Sequence, residues 1–258
     1  MSFAGRHVVV TGASTGIGAA AASLLAERGA RVTLVARTEA VLASTTQAIT
    51  EAGGTAVAIA ADVADPAALA RVFAEAQALH GPVDGLFANA GTGGMFAPFT
   101  ECSDANWDGI IATNLTAVFR AIRHVLPGMI ERRYGAILVT GSLASERGMA
   151  NNPAYVASKH GVLGLARAAA IEGAAHGVRV NCLLPGLIET PLLMNIAPDG
   201  DTRAMIATMS RAVPQGRIGT AREAAEAATF LLSDAATHIT GQTLAVDGGL
   251  LGTLKLVP

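Results

Sequence analysis

The sequence predicts an α/β fold in which a parallel sheet carries helices on both faces. Short β-branched runs alternate with longer alanine- and leucine-rich segments from one end of the chain to the other, the rhythm of strand–helix–strand units. The runs Val8-Val9-Val10 and Ile137-Leu138-Val139 are apolar at successive positions, as strands buried on both sides require. The first strand also gives way to a glycine-rich turn that opens a helix.

Taken in order, the β-branched runs place strands at His7–Thr11, Arg31–Ala36, Thr55–Ala60, Val83–Ala88, Gly135–Thr140, Val178–Leu183 and Thr243–Val246. Between them, the alanine- and leucine-rich segments place helices at Ile17–Arg28, Glu39–Ala52, Pro66–His80, Asp104–Glu131, Pro153–His176 and Ala221–Ser233. With no repeat, low-complexity linker or shift in composition, residues 1–258 are expected to form one domain. One segment breaks the rhythm. Pro185 to Arg217 holds three more prolines, a Pro-Asp-Gly-Asp turn at 198–201, and Met194, Met205 and Met209; a lid at about 187–217 is expected.

A net charge of −2 with sixteen scattered arginines and two lysines gives no electrostatic case for nucleic acid or a membrane surface, so the expected partner is a small molecule. Cys102 and Cys182 sit in no C-x-x-C pair, which argues against a zinc site or a disulfide framework. No metal is expected. The first residues lack the charged head and long apolar core of a signal peptide, and no apolar stretch is long enough to span a bilayer. These features together predict a reducing, cytoplasmic location.

Chemistry enters with Tyr155 and Lys159, one of two tyrosines four residues before one of two lysines. Helical spacing brings the pair onto one face, where an ammonium is expected to favour the phenolate and turn the phenol into a usable acid. The turn Thr11-Gly12-Ala13-Ser14-Thr15-Gly16-Ile17-Gly18 has the setting of a nucleotide loop. Gly12 permits the tight turn, Gly16 lets backbone approach a pyrophosphate, and Gly18 allows close helix packing, while the helix N-terminus offers N–H groups to the anion. Gly12 to Gly16 also spells the G-x-S-x-G of a serine hydrolase elbow, but after the first strand and without a His-Gly-Gly-Gly segment. Where an acidic residue would grip the ribose of NAD, the second strand ends in Ala36-Arg37. A guanidinium suits a 2′-phosphate, so NADP(H) is favoured over NAD(H).

With these features in place, the chain from about His7 to Gly249 resembles the short-chain dehydrogenase/reductase family. The loop is T-G-x-x-x-G-x-G, Asn89-Ala90-Gly91 follows the fourth strand, and Asn114 lies in the next helix. Ser142 stands thirteen residues before Tyr155, and Pro185-Gly186 follows the sixth strand. The resemblance implies a Rossmann-like, doubly wound sheet of about seven strands in the order 3-2-1-4-5-6-7. It implies a catalytic set of Asn114, Ser142, Tyr155 and Lys159. Cofactor contacts are implied at Gly12, Ser14, Thr15, Gly16, Ile17, Gly18, Arg37, Asp62, Val63, Asn89, Ala90, Gly91, Pro185, Gly186, Ile188 and Thr190, and at Tyr155 and Lys159 themselves.

The activity it implies is that of a short-chain alcohol dehydrogenase or carbonyl reductase. Tyr155 would move the proton, Lys159 lower the phenol's pKa and hold the nicotinamide ribose, Ser142 hydrogen-bond the substrate oxygen, and Asn114 fix a water. Gly93, Gly94, Met95 and Phe96, then Leu143, Ala144 and Met149, then Leu187, Leu192, Leu193 and Met194 would form an apolar pocket wall. That wall favours a hydrophobic ketone or secondary alcohol. An acyl-carrier-protein reductase, with Arg120, Arg123, Arg132 and Arg133 facing an acidic partner, is the second reading, and a cofactor sensor without turnover a third. A homotetramer is expected from the family's C-terminal stretch, here Ile239 to Gln242 and Val246 to Gly249, and from apolar Leu250, Leu251, Leu254, Leu256 and Val257.

Overall fold

The computed structural model describes residues 1–195 and 201–253; residues 198–200 of the turn expected at 198–201, and Leu254, Leu256 and Val257, lie outside them. Nine strands are described: β1 (His7–Thr11), β2 (Arg31–Ala36), β3 (Thr55–Ala60), β4 (Gly85–Ala88), β5 (Gly135–Thr140), β6 (Val178–Pro185), β7 (Ile188–Glu189), β8 (Gly219–Thr220) and β9 (Thr243–Val246). Seven form one sheet in the order β3-β2-β1-β4-β5-β6-β9, every adjacent pair parallel. The expected order of seven strands is met, with β9 as the seventh. The chain runs outward from β1 to β3 and then crosses back to β4 on the other side of β1. The sheet therefore opens a crevice at the carboxyl ends of β1 and β4, where ligands bind in this architecture.

The helices are α1 (Gly16–Glu27), α2 (Glu39–Glu51), α3 (Pro66–His80), α4 (Asp104–Ile111), α5 (Ala117–Arg132), α6 (Pro153–Ala174), α7 (Pro191–Met194), α8 (Thr202–Ala212) and α9 (Ala221–Leu232). Alternation along the central strand shows why both faces are covered. Val9 joins Phe73, Ile122, Met129 and Leu163 in a core beneath α3, α5 and α6, whereas Val8 and Val10 join Leu24, Leu25, Leu42 and Leu231 beneath α1, α2 and α9. Each large side chain so buried stabilises the fold by about 1.5–3 kcal/mol. Among the described residues no helix is long and apolar enough to cross a membrane.

Two departures from the expected elements bear on the site. The helix expected at Asp104–Glu131 is α4 and α5 joined by a π-helical turn at Ala112–Thr116, and that turn contains Asn114. Such turns carry an extra residue in the helix and recur at functional sites. Around the segment expected as a lid, β7 pairs with β8 beyond its far end, with α7 and α8 between them.

Arg179, nearly buried in β6, donates to the carbonyls of Leu231 at 2.7 Å, Ser233 at 2.9 Å and Leu232 at 3.4 Å. It closes the C-terminal end of α9, where unpaired carbonyls and the helix dipole both favour a cation. Arg179→Met, which keeps most of the volume and none of the donors, is expected to cost about 3 kcal/mol of stability. Urea unfolding followed by circular dichroism checks this.

Candidate active site

At the carboxyl end of β1 the glycine loop is a cradle that side chains would close. Gly12 has φ +66 and Gly16 φ +57, the left-handed region that glycine enters without strain. A Cβ on Gly12 would stand 2.8 Å from Ala90 Cα, and one on Gly18 only 2.2 Å from the Gly12 carbonyl oxygen. Thr15 precedes α1 and places no side chain on its first-turn N–H groups. Open donors at a helix start beside tightly approached backbone fit a pyrophosphate. Thr190, at the start of α7, brings its methyl group within 3.1 Å of where a Gly16 Cβ would be. Pro185-Gly186 is held against the last strand by the bond from Gly186 N–H to the Val246 carbonyl, 3.0 Å, and Ile188 is buried.

The register Ala36↔Ala60 places the ends of β2 and β3 side by side at the same edge of the crevice. Arg37 is exposed there and has no hydrogen bond or ion pair among the described residues. Asp62 turns its carboxylate onto its own Ala64 N–H at 2.9 Å, while Val63 is buried in the core. A guanidinium with no protein partner fits an added phosphate better than a bare ribose.

One run of hydrogen bonds joins this cradle to the tyrosine helix. Asn89 donates from Nδ2 to the carbonyls of Thr11 and Gly12 at 3.2 and 3.3 Å, and its Oδ1 accepts from Thr140 Oγ1 at 3.0 Å. The carbonyl of that same Thr140 accepts from Lys159 Nζ at 2.8 Å. Thr11 Oγ1 accepts the N–H groups of Asn89 and Ala90. Gly91 leaves room beside the lysine, since a Cβ there would stand 3.7 Å from Nζ and 3.4 Å from Asn114 Oδ1.

Lys159 Nζ lies 5.5 Å from the centroid of the Tyr155 ring, so the two groups meet as their spacing predicts. The expected sense of the phenol's shift does not hold. Burial pushes the Tyr155 pKa up, and the Ser142 hydroxyl at the phenol acts in the opposite direction. Burial also lowers the Lys159 pKa to about 8, against a small raising effect of Cys182. Both groups lose water together, and desolvation is the largest cause of each shift. Cys182, itself buried, has its thiol pushed up to about 11 by burial and stays neutral.

Asn114 is buried in the π turn, and its amide makes three hydrogen bonds. Its Oδ1 accepts Thr92 N–H at 2.8 Å, and Nδ2 donates to the Thr92 carbonyl at 2.9 Å and to Ser158 Oγ at 3.2 Å. With both amide hydrogens spent, the side chain braces the loop after β4, and a water held by it would donate to Oδ1. Ser142 caps the turn Leu143–Ser145, accepting from Ala144 N–H at 3.2 Å.

Of the expected pocket wall, Met95, Phe96, Met149 and Leu192 are exposed, while Ala144 is buried. Leu192 Cδ1 lies 3.6 Å from where a Gly93 Cβ would be, so α7 meets the loop after β4. Thr140, Ser158, Asn106 and Asn152 belong to this constellation and are not singled out by sequence reasoning. Ser158 and Asn152 were within reach of it, because they flank the tyrosine and lysine in one helix start. Ser14 has no histidine hydrogen-bonded to it among the described residues, and no cluster of three His, Cys, Asp or Glu there could hold a metal.

The sequence model of the family described as enoyl-(acyl carrier protein) reductase matches residues 12–251. The chain is 42% identical to cis-4-hydroxycyclohexanecarboxylate dehydrogenase of Sinomonas cyclohexanicum, over 96% of this chain and 97% of that protein. It is 40% identical to the 3-oxoacyl-(acyl-carrier-protein) reductase FabG of Escherichia coli (strain K12), over 97% of this chain and 99% of that protein. Among solved structures it is similar to levodione reductase, with a TM-score of 0.94 at 33% identity over 97% of this chain and 99% of that one. It is also similar to a variant actinorhodin polyketide ketoreductase with NADPH, with a TM-score of 0.92 at 35% identity over 96% and 98% of the two chains.

Proposed function

We propose, because the chain belongs to the short-chain dehydrogenase/reductase family, that it is an NADP-dependent oxidoreductase interconverting a hydrophobic ketone and its secondary alcohol. The observation that carries this reading is the convergence of Ser142, Tyr155 and Lys159 at the crevice that also holds the open glycine cradle. When bound, the nicotinamide supplies or accepts the hydride.

The chain's own residues manage the oxygen. Tyr155, kept protonated by its burial, is the acid that gives a proton to the carbonyl oxygen, or takes it back from the alcohol. Ser142 donates to that oxygen and stabilises the charge it gains between hydride and proton transfer. Lys159, anchored on Thr140, returns the proton and holds the ribose. Gly12, Ser14, Thr15, Gly16, Ile17 and Gly18 hold the pyrophosphate, with Thr190 above them, and Asn89, Ala90, Gly91, Pro185, Gly186 and Ile188 line the nicotinamide side. Asp62 and Val63 flank the adenine, and Arg37 takes the 2′-phosphate. The described parts of segment 187–217 act as the lid of a one-domain enzyme that takes a small-molecule substrate and works as a homotetramer in the cytoplasm. Leu251 is partly buried against the core.

The test is incubation with NADPH and a panel of ketones while nicotinamide absorbance is followed. The cofactor assignment has its own test. An Ala36→Asp, Arg37→Ile double change is expected to reverse the preference toward NAD by at least about tenfold in kcat/KM, and a parent enzyme that already favours NAD contradicts it.

A 3-oxoacyl-(acyl-carrier-protein) reductase is the second reading, favoured by the identity to FabG over almost the whole chain. It ranks second because the arginines expected to face an acidic carrier have partners of their own. Arg120 donates to the Ala64 carbonyl, Arg132 to that of Val83, Arg133 to that of Ala175, and Arg123 lies over the Phe119 ring. Turnover of a carrier-linked ketone far above a free one would reverse the order.

A further inference from the structure

We propose that Asn152 is a positioning residue that ties the start of the Tyr155 helix to the loop of the substrate wall, and so sets selectivity between bulky and small ketones. The inference rests on the oxidoreductase reading above. Asn152 is only 1% exposed, and its one amide does two jobs. Oδ1 accepts the Tyr155 N–H at 3.3 Å, which caps α6, and Nδ2 donates to the Gly93 carbonyl at 2.7 Å. Capping alone does not call for asparagine. Serine, threonine or aspartate cap a helix as well, but aspartate has no donor and a hydroxyl carries donor and acceptor on one atom, whereas asparagine holds them on two atoms that reach two elements at once.

The loop it reaches is held at almost every residue. Asn114 pairs with both backbone groups of Thr92, and Asn106 does the same for Met95, accepting its N–H at 2.9 Å and donating to its carbonyl at 3.1 Å. The Asn151 carbonyl accepts Ala97 N–H at 2.8 Å, and Asn151 holds a left-handed φ of +61 to present it. What this fixed backbone displays is apolar: Met95 is 72% exposed and Phe96 48%. Of these four braces, Asn114 and Asn106 reach the loop from the π turn and α4. Asn152 is the one whose side chain also bonds the backbone of Tyr155. A bulky ketone seated on Met95 and Phe96 is thereby registered against the phenol, and misplacement on the order of 1 Å costs a large factor in rate.

Asn152→Asp separates the two jobs, because a carboxylate still accepts the Tyr155 N–H and suits a helix start but cannot donate to Gly93. The expected result is a melting temperature lowered by a few degrees, because a buried carboxylate oxygen then faces the Gly93 carbonyl with no proton between them, and amides of residues 93–97 exchanging at least about tenfold faster than that global loss accounts for. The ratio of kcat/KM for a bulky over a small ketone should fall about tenfold, carried by KM. Asn152→Ser, a cap that reaches no further, should behave alike. Unchanged exchange and an unchanged substrate ratio in both variants would reduce Asn152 to a helix cap, and so would an equal loss of kcat on both ketones. If the parent enzyme reduces no ketone, the oxidoreductase reading fails by itself, and exchange in the aspartate variant still decides whether the loop hangs on Asn152.

Discussion

Tyr155→Phe is expected to lower kcat about 10³-fold while leaving the affinity for NADPH within about twofold of the parent. Phenylalanine keeps the ring and its packing beside Lys159 and removes one oxygen, so the fold and the glycine cradle, built from other elements, have no reason to move. What is lost is the only phenol positioned against Ser142 and the proton it carries. Burial makes that proton harder to remove, which suits a donor: the group stays loaded through neutral pH and gives up its proton only as the substrate oxygen gains charge. Stopped-flow measurement of ketone reduction alongside nucleotide titration separates the two quantities. Retained turnover removes the tyrosine from the mechanism, and a large loss of nucleotide affinity reassigns it to binding.

Lys159→Met is expected to move activity and stability in opposite directions. Activity should drop by about 10²-fold or more, since the ammonium is proposed both to hold the ribose and to return the proton. Stability should hold or rise. The amine's pKa falls from its ordinary 10.5 to about 8 because the side chain is buried, so between those two values the unfolded chain keeps a proton that the folded chain has released. Native stability therefore climbs as pH rises through that window, and at neutral pH the fold carries the full cost of a buried charge, on the order of 3 kcal/mol. Methionine removes that cost and forfeits the bond to the Thr140 carbonyl, about 1–3 kcal/mol. Chemical unfolding from pH 7 to 10.5 checks both parts: the parent strengthens across the upper half of the range and the variant does not. A variant less stable than the parent at pH 7 would show the buried lysine to be a structural asset.

Much of the fold was legible because strands buried on both faces, such as β1, β2 and β5, write themselves as largely apolar, β-branched runs; the partly buried edge strands β3 and β9 also begin and end as predicted. The π turn was not, since Ala112 to Thr116 keeps helical composition and only the packing of Asn114 against Thr92 and Ser158 calls for an extra residue. At the site, proximity was readable and charge balance was not. A spacing of four residues brings Tyr155 and Lys159 together, but the sign of the phenol's shift depends on how much water each loses, and no motif records that. The bracing asparagines escaped notice for a related reason: Asn106 and Asn152 act on backbone groups far away in the chain, and a backbone partner leaves no trace in residue identity.

The bonded run from Gly12 through Asn89 and Thr140 to Lys159 contrasts with Arg37, which stands apart from it without a partner among the described residues. Anyone re-engineering this scaffold inherits that division. If Arg37 takes the 2′-phosphate as proposed, the preference for one dinucleotide over another would be exchanged like a fitting, by edits beyond the end of β2. Replacements within the run would compound unpredictably, because each alters the geometry of the glycine cradle and the poise of the amine in one stroke.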